Sequence, residues 1–123
     1  MDITHCMSRP ALLLACSHEE ADMIRKQAFV QSRTISAYVF LVVMRSVTFD
    51  EKQFAEFGRV AVYSGRLKRG VGPRTTMLLR CTTEQALRIR TAAKRRDVTI
   101  SGYILYCLKR SWTLAAVNPI ASP

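Results

Sequence analysis

Few side chains in this sequence could support acid–base, nucleophilic or metal chemistry. Its two histidines are His5 and His18, and its four cysteines are Cys6, Cys16, Cys81 and Cys107. They occur without a CxxC spacing, a glycine-rich phosphate loop or paired carboxylates at a catalytic spacing. A zinc site built from His5, Cys6, Cys16 and His18 is one alternative, although this spacing is irregular. We therefore expect no enzymatic activity, no cofactor and no metal centre.

Basic side chains are the abundant functional groups. The chain has 19 lysines and arginines against nine acidic residues, a net charge of +10, which favours a polyanionic partner. Residues 1–47 carry five basic and four acidic groups, residues 48–76 six and three, and residues 77–123 eight and two. The positive field is therefore strongest in the last third of the chain and in the segment leading into it.

The elements that must position these cations occur twice. Shifting the sequence by 65 places aligns Leu12–Val47 with Met77–Trp112 without a gap, and 14 of the 36 pairs are identical. Chance would give about two or three identities at ordinary composition. One copy is too short to bury its own apolar faces or to satisfy a lone strand. The two copies are therefore expected to pack on each other with their strands paired antiparallel.

Each copy has the pattern of one strand followed by two helices. Met77–Thr82 alternates apolar and polar residues, as a half-buried strand does. Ser17–Glu20 and Thr82–Gln85 are capping boxes that would start the first helices. Thr34 and Thr99 are placed to cap the second helices.

The order of strand, TxEx turn, helix, basic loop, TxSxY and second helix resembles the ribbon-helix-helix DNA-binding family, which includes the Arc and methionine repressors. The resemblance implies a mainly α fold with a two-stranded antiparallel β-ribbon. Units 12–47 and 77–112, joined by connector 48–76, would form an intrachain pseudo-dimer within one domain, 1–123. It also implies sequence-specific binding of double-stranded DNA through the ribbon, and a role in transcription regulation. Antitoxins and relaxosome accessory proteins with this fold are alternatives, as is a protein-interaction module whose first copy has lost DNA readout.

The outward residues of the ribbon are the candidates for base reading. The second copy offers Thr76, Leu78, Arg80 and Thr82, and the first copy offers Ala11, Leu13, Ala15 and Ser17. A guanidinium in the major groove can bond the O6 and N7 atoms of guanine, so Arg80 is the principal candidate. The first copy departs from the family pattern at Ala15, where the repeat has no arginine. Recognition is therefore expected to be asymmetric.

Phosphate binding is assigned to the starts of the second helices and to two basic clusters. Free amides and the helix dipole favour an anion at a helix start. The helix-start residues are Thr34, Ile35, Ser36, Thr99, Ile100 and Ser101. The clusters contain Lys94, Arg95 and Arg96 before the last helix, and Arg66, Lys68, Arg69 and Arg74 in a basic arm before the second strand.

The connector is expected to contain a separate short helix at Asp50–Phe57 and a strand at Arg59–Tyr63. Three apolar residues of the first copy, Phe40, Leu41 and Met44, fall on a face predicted to be exposed. We expect Phe49, Phe54 and Phe57 of the connector to cover them. Self-association or an external protein partner on this face is the alternative.

The apolar runs favour a cytoplasmic, nucleoid-associated protein. Leu13–Cys16 is similar to the end of a lipoprotein signal, but the same LLxC pattern recurs at Leu78–Cys81. Ala37–Met44, eight residues, is too short to cross a bilayer. We therefore expect no membrane partner.

Overall fold

The computed structural model describes residues 10–59 and 73–117, without the side chains of residues 115–117. Within these ranges the chain is mainly helical, with one two-stranded antiparallel sheet. The elements in chain order are β1 (Ala11–Ser17), α1 (His18–Val30), α2 (Ile35–Phe57), β2 (Arg74–Arg80), α3 (Thr83–Arg95) and α4 (Ile100–Val117). The predicted arm residues Arg66, Lys68 and Arg69, and most of the predicted strand Arg59–Tyr63, lie outside the described residues.

The two strands pair in a register that respects the sequence repeat. Leu13 lies opposite Leu78, its own repeat equivalent 65 positions later. Ala11 lies opposite Arg80, and Ala15 lies opposite Thr76. Arg80 is the repeat equivalent of Ala15, and Thr76 is the repeat equivalent of Ala11. The Ala11–Arg80 pair and the Ala15–Thr76 pair are therefore equivalent, and the register is the same whichever strand is taken first.

The helix boundaries follow the predicted capping signals. Ser17 and Thr82 each form a complete capping box, with Glu20 and Gln85 as the reciprocal partners. The turns that follow α1 and α3 also match, because Ser32 and Asp97 are repeat equivalents and both adopt the left-handed conformation, with φ of 54° and 59°. The local structure of the two halves is therefore the same where the first helix of each half begins and ends.

The core lies between the inner face of the ribbon and the four helices. Its largest members are the fully buried Tyr38 and Tyr103, one from each long helix. Each tyrosine hydroxyl has a partner from another helix: Trp112 Nε1 donates to Tyr38 at 2.7 Å, and Tyr103 donates to an oxygen of Asp50 at 2.9 Å. Both polar ends are therefore satisfied inside the core.

Helix α2 is longer than the sequence repeat predicted. Asp50–Phe57 is not a separate helix but the last part of α2, which ends at Gly58 in the left-handed conformation with φ of 73°. Phe49, Phe54 and Phe57 are exposed on this same helix, so the prediction that they cover the first copy is wrong. Phe40 is itself buried against the core, whereas Leu41 and Met44 are half-buried.

The additional turns of α2 hold a buried ion pair against the C-terminal half. Asp50 accepts a hydrogen bond from Arg96 Nε at 2.8 Å, and a second Arg96 nitrogen contacts its other oxygen. Beside it, Glu51 pairs with Arg88 of α3 on a more exposed surface. Burial keeps the pKa of Tyr103 far above its usual value, so this hydroxyl remains a donor to Asp50. The extension of α2 thus fixes α3 and α4 in place.

Candidate nucleic-acid interface

The outer face of the ribbon is a solvent-exposed surface with an apolar centre. Leu13 and Leu78 lie side by side there and are 62% and 52% exposed. Ala15, Thr76 and Arg80 are also exposed, as the strand alternation predicted. Arg80 extends from one end of this face, two residues beyond Leu78.

Two predicted base-reading residues are not part of this face. Ser17 is fully buried, because its hydroxyl caps α1 and accepts from the Glu20 amide at 3.1 Å. Thr82 is exposed but lies beyond the end of β2, and its hydroxyl caps α3 by accepting from the Gln85 amide at 3.0 Å. The alternation of side chains along a strand predicts that both residues point outward. Each is instead the N-cap of a helix, and its side chain turns to bond the first helical turn.

The starts of the two long helices are attached to the ribbon by equivalent hydrogen bonds. The Arg80 amide donates to Ser36 Oγ, and the Ala15 amide donates to Ser101 Oγ, each at 3.0 Å. Thr34 and Thr99 cap these helices as predicted, accepting from the third helical amide in each case. The remaining first-turn amides have no intrahelical acceptor, and the two serine contacts hold them at opposite ends of the ribbon. Such a position suits an anion.

A groove flanks each end of the ribbon, and the two grooves are repeat equivalents. The first groove, beside Arg80, is lined by Arg33, Ser36, Ala37, Phe40, Leu41, Met44, Arg45, Thr48 and Gln85. The second groove, beside Ala15, is lined by residues that include Arg74, Arg90, Lys94, Val98, Ser101, Gly102, Leu105, Tyr106, Lys109 and Arg110. They enclose about 520 Å³ and about 1670 Å³ respectively. The two grooves therefore occupy corresponding positions of the repeat but differ in chemistry.

The second groove is the more cationic of the two. Lys109 occupies the position that Met44 has in the first groove, and Lys94 is equivalent to Phe29, which is 84% exposed on α1. Residues 10–59 contain six basic and six acidic side chains, whereas residues 73–117 contain nine and two. The described positive charge is therefore concentrated in the C-terminal half.

The predicted phosphate-binding cations differ in how free they are. Arg96 is wrong for this role, because it is buried and paired with Asp50. Arg95 is partly engaged, since its guanidinium lies 4.0 Å from the ring centroid of Phe54. Lys94 is exposed and has no ion-pair partner within the described part of the chain. Arg74 is exposed at the start of β2 and donates to the Ala15 carbonyl at 3.3 Å.

A buried carboxylate lies at the edge of the second groove. Glu20 accepts from the Ser17 amide at 2.8 Å, and Lys109 of α4 contacts its other oxygen. Burial alone would raise the pKa of Glu20, but the Lys109 hydrogen bond and charge and the Ser17 amide together hold it below its ordinary value. The equivalent residue of the first groove is Gln85, which carries no charge.

These cross-half contacts were not found from the sequence. Ser36 and Ser101 were assigned to phosphate, yet their hydroxyls also bond the opposite strand. The pairs of Asp50 with Arg96 and of Glu20 with Lys109 join residues that are distant in sequence. Within the repeat, the only available signal was that Glu20, Arg96 and Lys109 have uncharged equivalents, whereas Asp50 lies beyond the end of the repeat.

Metal and thiol chemistry has little support from the described residues. Across residues 10–59 and 73–117, no three His, Cys, Asp or Glu side chains cluster closely enough to hold a metal ion. Cys16, Cys81 and Cys107 are free, and burial raises the pKa of each thiol. The first two members of the alternative zinc set, His5 and Cys6, lie outside the described residues.

No protein family, curated protein or solved structure matches the chain. In the ranges that the structure describes, every helix is too short or too polar to cross a bilayer.

Proposed function

We propose that the chain is a tandem ribbon-helix-helix protein that binds double-stranded DNA sequence-specifically, with the β-ribbon in the major groove, and regulates transcription. In this proposal, residues 12–47 and 77–112 are the two units of an intrachain pseudo-dimer whose local two-fold axis passes between Leu13 and Leu78. The self-symmetric strand register and the matched capping boxes support the pairing of units.

One observation carries the proposal: an exposed arginine on the outer face of an isolated two-stranded ribbon. Each strand has seven residues, about 23 Å in length, and the major groove is wide enough to admit such a ribbon. Arg80 is exposed on this face, and its amide is fixed by Ser36. A guanidinium on a fixed backbone is suited to the two acceptors of guanine.

The helix starts would supply the phosphate contacts. The first-turn amides at Ile35 and Ser36, and at Ile100 and Ser101, lie at opposite ends of the ribbon because each serine bonds a strand there. A ribbon in the groove would bring these amides next to the sugar–phosphate backbones on either side. Lys94 and Arg110 would add long-range attraction.

The proposal is tested with fluorescently labelled random duplex DNA. Binding should weaken steeply as salt rises, and repeated selection should enrich a motif containing guanine. Arg80→Ala should lose about 1–3 kcal/mol on the enriched sequence. Lys52→Ala is the matched control, because Lys52 is an exposed cation about 25 Å along α2 from the ribbon. No enrichment would reject sequence-specific recognition, and equal weakening by both variants would reject base reading by Arg80.

A protein-interaction role is a second candidate, and the exposed leucines favour it. Leu13 and Leu78 form an apolar centre on the ribbon that a protein partner could cover. An interaction module should retain its partner at high salt, whereas DNA binding should not survive there. Leu13→Ala would then release the protein partner, and Arg80→Ala would have little effect on it.

A further inference from the structure

We propose that the chain binds a non-palindromic DNA site in one fixed orientation, with base reading at one end of the ribbon and the larger number of flanking cations at the other. The inference rests on the proposed DNA-binding function and adds the type of site that is bound. It follows from where the structure places three groups relative to the Leu13–Leu78 centre: Arg80, Ala15 and the cations of the second groove.

The base-reading end contains Arg80. In the ribbon Arg80 lies opposite Ala11, two residues, or about 7 Å, from the centre. This distance corresponds to about two base pairs at the rise of B-DNA. Its neighbours in the first groove include the apolar Phe40, Leu41 and Met44 and the cations Arg33 and Arg45. This end therefore has the specific donor and two flanking cations.

The opposite end lacks a base-reading donor and has one more unpaired flanking cation. Ala15 and Thr76 lie two residues from the centre on that side, and Ala15 has no group that can bond a base edge. The second groove beside them contains Arg90, Lys94 and Arg110, which have no ion-pair partner in the described ranges. These side chains attract phosphate irrespective of sequence.

This separation gives the bound protein a direction. If the chain were turned around on the same site, Ala15 would face the guanine and Arg80 would face the other half of the site. Loss of one arginine–guanine contact lowers affinity by about 5- to 150-fold. Because the backbone contacts would be similar in both directions, this contact alone decides the orientation.

The test is selection from duplexes with a random core of about 12 base pairs, close to one helical turn, so that one chain fills each duplex. Wild-type protein should select a motif with one guanine contact about two base pairs from the centre. Ala15→Arg restores the repeat at an exposed position and should select an inverted repeat with a guanine on both sides. Lys52→Ala should select the wild-type motif.

Ethylation interference on the wild-type motif gives a second measurement that needs no variant. Ethylated phosphates should interfere most on the side away from the guanine contact. Removing Lys94 and Arg110 together should reduce the slope of log affinity against log salt concentration by the amount expected for about two phosphate contacts. The selected motif should stay unchanged. In the first groove, Arg45→Ala removes the repeat equivalent of Arg110 and should reduce this slope by the amount expected for about one phosphate contact.

The outcomes separate this inference from the proposed function. An inverted repeat selected by the wild-type protein would overturn the fixed orientation and leave DNA binding intact. Equal interference on both sides would overturn the division between the two ends. If no motif is enriched, sequence-specific binding fails, and the orientation fails with it. If Ala15→Arg does not fold, as judged by circular dichroism, the wild-type motif and interference pattern decide alone.

Discussion

Replacing Asp50 with alanine should be one of the most destabilising single changes in the protein. Asp50 is 1% exposed and accepts hydrogen bonds from Arg96 and from Tyr103, the first at 2.8 Å and the second at 2.9 Å. The change removes the carboxylate and leaves the buried guanidinium of Arg96 without it. Breaking a buried pair in this way costs about 3–5 kcal/mol. Against a typical total of about 5–15 kcal/mol, this is a large fraction of the stability.

The neighbouring residue provides the control for this prediction. Glu51 lies on the same turn of α2 and pairs with Arg88, but both side chains are about one-third exposed, at 38% and 31%. Glu51→Ala should therefore cost only about 0–1 kcal/mol. Both variants remove one negative charge, so a general charge effect would affect them equally.

Urea unfolding followed by circular dichroism gives the two free energies. A double variant, Asp50→Ala with Arg96→Ala, should be less destabilised than the sum of the single changes, because no charge is then left buried without its partner. The reasoning is refuted if Asp50→Ala costs no more than Glu51→Ala, or if the two single changes are additive.

Three further predictions concern positions that match between the halves or differ between them. Ser36→Ala and Ser101→Ala should each lower the free energy of unfolding by about 1 kcal/mol, because each leaves one strand amide without its serine acceptor. If the unfolding equilibrium constants of the two variants differ by a factor of about ten, these contacts are not equivalent. Ser32→Gly and Asp97→Gly should each raise the melting temperature, since glycine adopts positive φ without a Cβ penalty, and a decrease at either site would contradict this. Glu20→Gln should be less stable than wild type at pH 7. Because the pKa of Glu20 is lowered in the folded protein, its carboxylate stabilises the fold above its ordinary pKa of 4.5, and this stabilisation is lost as the pH falls through the folded-state pKa. The free energies of unfolding of the variant and the wild type should therefore converge in acid.

Local sequence signals predicted the elements well because their causes are local. The capping boxes at Ser17 and Thr82 satisfy amides within three residues, so the pattern alone determines where α1 and α3 begin. The exposure of Arg80 followed from strand alternation in the same way. The mainly helical fold and the antiparallel sheet were confirmed.

The errors occurred where a distant partner decides the structure. The repeat ends at Val47, and nothing nearby shows that α2 continues to Phe57. Its last turns carry Asp50, whose partner Arg96 is 46 residues away. For the same reason, the basic neighbours of Arg96 in the sequence favoured the interpretation that it is an exposed cation, although it is buried and paired. Burial of a charged side chain depends on the partner it meets, and that partner is not visible in a local pattern.

The contacts that match between the halves differ in kind from those that do not. The matched contacts join a side chain to a backbone amide, as Ser36 and Ser101 do with the opposite strands. Every strand offers that amide whatever its side chains, so one serine in each copy is sufficient. The unmatched contacts join two side chains, as Asp50 does with Arg96 and Glu20 does with Lys109.

A side-chain pair of this kind can form only between unlike halves. If two N-terminal halves paired, Asp50 would face Gln31, the equivalent of Arg96, and a buried carboxylate would lose its cation. Glu20 would face Met44 in place of Lys109, with the same consequence. Because each mismatch leaves a buried charge unpaired, these contacts favour the pairing of the first half with the second over pairing of either half with its own copy. Pairing of unlike halves also leaves Arg80 at only one end of the ribbon. The buried ion pairs therefore favour the same arrangement that makes the outer face of the ribbon asymmetric.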